Sequence, residues 1–119
     1  MKIAELIAAV LSPLGLAIAE SLYEGDEDEY ITWNQADNIG ADYGDNRPGT
    51  NVIYVHVHYV CPWLMDYHPK LRIIRKLLFD AGFTWPEVVD ASDAGIRIRH
   101  FVFECQIDND YDLMEDDYV

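Results

Sequence analysis

The run Asn51 to Val60, NVIYVHVHYV, constrains the fold of this chain more than any other feature. Side chains on a strand alternate between faces, so Ile53, Val55, Val57 and Tyr59 share one face. Val52, Tyr54, His56, His58 and Val60 take the other. β-branched and aromatic residues fill almost all of it, which suits a pleated sheet surface. The chain therefore has a long, well-specified strand near its middle.

The segments around it can be read against that strand. Ile3, Leu6, Ile7 and Val10 recur at the spacing of one helical face, and Ser12-Pro13 followed by Gly15 ends the pattern. Leu16 to Tyr23 is ambiguous: its alanines favour continuation of the helix, whereas Ile18, Ser21, Leu22 and Tyr23 fit a strand. Propensity alone extends the helix. Glu29 to Asn34 reads as a strand paired back on the preceding segment, after a turn at Gly25-Asp26. Residues 36–50, ADNIGADYGDNRPGT, have turn composition and no hydrophobic period, and so long a loop in a small domain points to function or an assembly arm. Pro69 suits the first turn of a second helix, with Leu71, Ile74, Leu78 and Ala81 as its apolar stripe and Gly82 after its last turn. A strand over about Thr84 to Val89, a turn at Ala91 to Gly95 and a strand over Ile96 to Ile107 complete the order. Residues 108–119 read as a frayed acidic tail. The expectation is a single domain over 1–119 of α+β class: a small mixed, mainly antiparallel sheet with two helices packed on one face.

Charge narrows the function classes. With 22 acidic and 8 basic residues the formal net charge is -14, so the field of the chain repels phosphate backbones and disfavours nucleic-acid binding. Acid gathers at Glu24 to Glu29 and again from Asp108 to Asp117. Half the positive charge stands on Lys70, Arg72, Arg75 and Lys76, which is either a solvated helix face or a surface complementary to another copy of the chain. The apolar run Ile3 to Leu22 is broken by Glu5, Ser12, Pro13, Gly15 and Glu20, so neither a membrane span nor a Sec-type signal is expected. Cys61 and Cys105 form no CxxC pair and read as buried free thiols in a reducing compartment.

Catalytic and ligand chemistry find few footholds. His56, His58, Cys61 and His68 are the one group that suggests a metal, and His100 could join them across neighbouring strands, but no family spacing supports further ligands. Half-exposed strand histidines are the expectation. The acidic runs at residues 25–29 and 42–46 lack the calcium-loop pattern. Neither cysteine has a local motif that supplies an orienting group and an oxyanion site. No enzyme activity, metal or cofactor is expected. Trp63, in the irregular stretch Cys61 to Met65, is the aromatic residue singled out for a partner contact.

The chain resembles the tail-completion, or tail-terminator, proteins encoded by siphophages and by prophages of Gram-positive bacteria. The resemblance rests on LSPLGLAIAESLYEGDEDEYITWN, the strand NVIYVHVHYV, the helix KLRIIRKLLFDAGFTW and the closing ASDAGIRIRHFVFECQI, which together cover nearly the whole chain. It implies a mixed-sheet fold in which Leu16 to Tyr23 is a strand. It also implies a ring, commonly a hexamer, that stops growth of the tail tube and faces the head connector. Partners would then be other copies of the chain, the tail tube protein and head–tail connector proteins, with the protein in the host cytoplasm before assembly and in the tail or neck of the virion after it. The residues expected at such contacts are Trp63, Tyr43 and Arg47 of the long loop, and Arg72, Arg75 and Lys76. The alternative is a small acidic regulatory protein, not viral, that binds a ligand or metal.

Overall fold

A computed structural model describes residues 2–36 and 51–109. The long strand is its centre: β3 (Asn51–Pro62) pairs antiparallel with β2 (Tyr30–Ala36) on one side and β5 (Ile98–Asn109) on the other. The edges are β1 (Ala17–Glu20), parallel to β2, and β4 (Glu87–Asp90), antiparallel to β5, giving the order β1-β2-β3-β5-β4. Among the described residues two α-helices, α1 (Ile3–Leu11) and α2 (His68–Asp80), join the sheet in the expected mixed-sheet α+β fold.

Alternation along β3 decides which face they cover. Ile53, Val55, Val57, Tyr59 and Cys61 are fully buried together with Ile31 of β2 and Phe103 of β5. Ile3, Ile7 and Leu11 of α1 and Ile74 and Leu78 of α2 pack into the same core, so both helices lie on this face. Burying such side chains contributes roughly 1.5–3 kcal/mol each. The opposite face carries Val52, Tyr54, His56 and His58 half-buried, and no helix of the described residues packs against it.

Several boundaries differ from the sequence reading, each for a local reason. Gly15 takes a left-handed φ of 70°, which turns the chain out of the 3-10 turn Ser12–Leu14 and overrides helix propensity, so the next segment is strand β1. That strand stops at Glu20, with Ser21 at φ 68° and Leu22 exposed. Residues 21–29 then carry the chain back so that β2 runs parallel to β1. The return is short because β1 has only 4 residues. Tyr23 anchors this loop by stacking on Tyr30 at 4.4 Å and accepting the Glu27 N–H at 2.9 Å. A Cβ at Gly25 would run into the Tyr23 ring, which is why glycine stands there.

At the other edge β4 begins at Glu87 rather than Thr84. Pro86 has no N–H for a ladder, and Thr84 instead exchanges hydrogen bonds with the backbone of Gln106 at 2.8 and 3.1 Å. The turn before β5 extends to Arg97, held at φ 58°, so β5 starts at Ile98 rather than Ile96. At its far end Asp108 and Asn109 pair with Val52 and Asn51, which moves the start of the acidic tail beyond them. The rest of that tail, and the loop 37–50, lie outside the described residues.

Both cysteines are buried free thiols, and burial pushes the Cys105 thiol up to about 12. One ionic group enters the margin of the core. Glu29 accepts hydrogen bonds from the Tyr59 hydroxyl at 2.6 Å and from Lys70 Nζ at 2.7 Å. Burial alone would raise the Glu29 carboxyl, but the bonds from Lys70 and Tyr59 outweigh it and hold the group below its ordinary value. A lowered carboxylate stabilises the fold above its unfolded value of 4.5, and that contribution is lost as pH falls through the lower folded value. Lys70→Met strands a largely buried carboxylate, and urea unfolding at pH 7 is expected to show a loss of about 1–3 kcal/mol. Adding Glu29→Gln should recover most of it, because removing both charges leaves no unpaired one.

Candidate functional site

Helix α2 presents two faces, and its outer one lines a concavity. Arg72, Arg75 and Lys76 stand at i, i+3 and i+4, so they line one side of the helix. With Phe79, Asp80 and Trp85 they enclose a concavity of about 500 Å³. Phe79 and Trp85 are 51% and 53% exposed, an unusual state for two adjacent large aromatics. Their rings meet edge to face, 5.4 Å apart at 74°. The Arg75 guanidinium lies 5.3 Å from the Trp85 ring centre, and its Nε donates to the Pro86 carbonyl at 3.0 Å. Trp85 is thereby fixed between Thr84, tied to β5, and Pro86, tied to α2. Lys76 Nζ donates to Asp80 at 2.9 Å, an exposed helical pair of small energetic weight.

This arrangement offers a rigid aromatic floor and a cationic rim. Its chemistry is recognition: guanidinium and ammonium groups take carboxylates, and the exposed rings take apolar side chains. Asp80 is its single carboxylate, already bonded to Lys76.

The structure brings Arg72, Arg75 and Lys76 together as expected, but removes Lys70 from their group by pairing it with Glu29. Trp63 stands apart from them. It follows β3 beside the start of β5, whereas Trp85 sits beside Gln106 near the end of β5. Trp63 is half-buried, with the Arg99 guanidinium 3.7 Å from its ring centre and Arg99 Nε donating to its carbonyl at 3.2 Å. Tyr43 and Arg47 lie outside the described residues. Phe79 and Trp85 are site residues that sequence reasoning missed. The signal was present in Phe79, which follows Lys76 by three and falls off the buried stripe of Ile74 and Leu78.

A second cluster lies on the uncovered sheet face. His58 Nε2 is 3.0 Å from Asn34 Oδ1, and His58 Nδ1 is 2.9 Å from His100 Nε2. The amide oxygen can only accept, so His58 carries its proton on Nε2 and accepts from His100 through Nδ1. Strand parity divides the remaining members of the sequence constellation. Cys61 points into the core, and His68 is exposed at the start of α2, bonded to Asp66 at 3.1 Å. Among the described residues no group of three His, Cys, Asp or Glu side chains is placed to hold a metal ion.

Burial lowers the His58 pKa, with further lowering from His100 and His56, and burial lowers His100 against an opposing pull from Asp90. A histidine lowered in the fold binds fewer protons folded than unfolded. Stability is therefore complete above the unfolded value of 6.5 and falls as pH drops below it. Melting temperature should decline between pH 7 and pH 5, and His58→Gln with His100→Gln should flatten that slope. An unchanged slope would remove these residues from the pH response.

No helix of the described residues is long and apolar enough to cross a membrane. No protein-family model matches the chain, and no curated protein matches it.

Proposed function

We propose that this chain is a structural virion protein, not an enzyme, which closes the tail tube of a tailed bacteriophage or prophage and helps join tail to head. It works as a ring of its own copies, six being the expected number, between the tail tube protein and the head–tail connector proteins. It occupies the host cytoplasm before assembly and the tail or neck of the particle afterwards. The observation that carries this reading is the surface of Arg72, Arg75, Lys76, Phe79 and Trp85 on a chain of net charge -14. A closed ring needs each subunit to present one face to a different face of the next, and a cationic, aromatic concavity on an otherwise acidic molecule meets that need. The resemblance in order and type of elements to tail-terminator proteins supplies the setting. The same net charge argues against direct contact with nucleic acid.

The linked histidines on the open sheet face favour one other reading, a small acidic regulatory protein that binds a ligand or metal there. Mass measurement in native solution, with and without chelator, separates the two. The ring predicts closed oligomers of one size that chelator leaves intact. A monomer that loses a metal on chelation would overturn it.

A further inference from the structure

Taking the ring of copies proposed above as given, we infer that the concavity on α2 of one subunit receives residues 22–28 of the next. A ring contact needs two different surfaces, and these residues supply the counterpart to Arg72, Arg75, Lys76, Phe79 and Trp85. Charge is the first ground. Glu24, Asp26, Glu27 and Asp28 are all exposed, and none of them belongs to an ion pair of the described residues. Their carboxylates match the guanidinium and ammonium groups of the rim. Leu22, 67% exposed at the head of the run, matches the open rings of Phe79 and Trp85.

Placement is the second. Residues 21–29 join β1 to β2 at one edge of the sheet, whereas Trp85 and Pro86 lead into β4 at the other. Surfaces at opposite edges meet head to tail, so the contact repeats around an axis instead of closing at two copies. Another pair of carboxylates would do the reverse. Glu87 and Glu104 stand opposite each other across β4 and β5, on a hollow that Trp85 itself lines. A contact made through them would use two adjoining patches of one subunit and would stop at a two-fold dimer.

The third ground is that the run is already shaped. Tyr23 stacks on Tyr30, its hydroxyl accepts the Glu27 N–H, and Glu29 anchors the far end on Lys70 and Tyr59. A loop held in place loses little conformational freedom on docking.

Charge reversal on the full chain tests this. One variant carries Asp26→Lys, Glu27→Lys and Asp28→Lys, which leave Glu29 and the backbone bond to Tyr23 in place. A second carries Arg72→Glu, Arg75→Glu and Lys76→Glu, and circular dichroism checks that both are folded. By native mass measurement each alone should run as a monomer where the unsubstituted chain forms rings. Mixed one to one, the lysine loop of the first meets the glutamate rim of the second, and the acidic loop of the second meets the cationic rim of the first. Closed rings should then return, with the two chains in equal number. Both sets of changes on a single chain should restore rings as well. Rings from the first variant by itself would overturn the inference while leaving the ring reading standing. So would two folded variants that stay apart when mixed. Dimers that the first variant leaves intact would assign the concavity to Glu87 and Glu104 and equally overturn it. A monomeric unsubstituted chain would remove the ring reading itself, and the inference with it.

Discussion

Replacing Phe103 by alanine is expected to destabilise the domain by about 3–5 kcal/mol, the usual range for truncating a buried aromatic. Phe103 lies on β5 between Val57 of β3 and Val88 of β4, wholly buried on the face that both helices cover. Domains commonly have about 5–15 kcal/mol of stability in total, so this variant should be largely unfolded on mild warming. Val102, its neighbour in sequence, points to the open face and is only half-buried. Val102→Ala removes less packed volume, and a loss of about 1 kcal/mol is expected. Urea unfolding followed by circular dichroism measures both. Similar losses at the two positions would contradict the division of the sheet into a covered and an uncovered face.

Changing Arg72, Arg75 and Lys76 together to glutamate is expected to leave the subunit folded and to abolish completion of tails. The three residues line one concavity, so the substitution turns its cationic rim acidic. An exposed charge pair is worth roughly 0–1 kcal/mol, so single changes should barely matter while the triple change weakens every contact around the ring. Screening acts over about 8 Å at physiological ionic strength, which predicts looser association of the unsubstituted protein as salt rises. Arg75 also bonds the Pro86 carbonyl and lies over Trp85, so a modest loss of monomer stability is expected from that position. Circular dichroism and electron microscopy are read side by side. Rings and finished tails from the triple variant at ordinary salt would reduce this face to a solvated helix surface.

The fold was legible in the sequence wherever a period was strong. Alternation through Asn51 to Val60 fixed the central strand and its two faces, and the stripe Leu71, Ile74, Leu78 fixed the buried side of α2. What local propensity could not reach was decided by tertiary structure. Residues 17–20 became a strand because Tyr30 to Trp33 lie alongside them as a parallel partner. Pro86 and Arg97 reset the ends of β4 and β5 through one missing donor and one left-handed backbone.

The candidate site was half legible. A basic cluster at helical spacing identified Arg72, Arg75 and Lys76. Lys70 could be separated from them only by knowing that Glu29, 41 positions away, comes to its side. Trp85 looked like part of a strand, and its exposure follows from the bonds of Thr84 and Pro86 on either side of it. The histidine pair was legible as a possibility across strands, while the parity that sends Cys61 to the core was available in the same alternation and argues against adding it to His56 and His58.

Whether the chain closes tails and joins them to heads can be read from electron microscopy of particles assembled from a genome lacking this gene. Filled heads without tails are expected beside unattached tail tubes of irregular length that bear no terminal ring, with normal particles restored when the chain is supplied in trans. Joined particles of normal tail length, in normal numbers, from the deleted genome would contradict it.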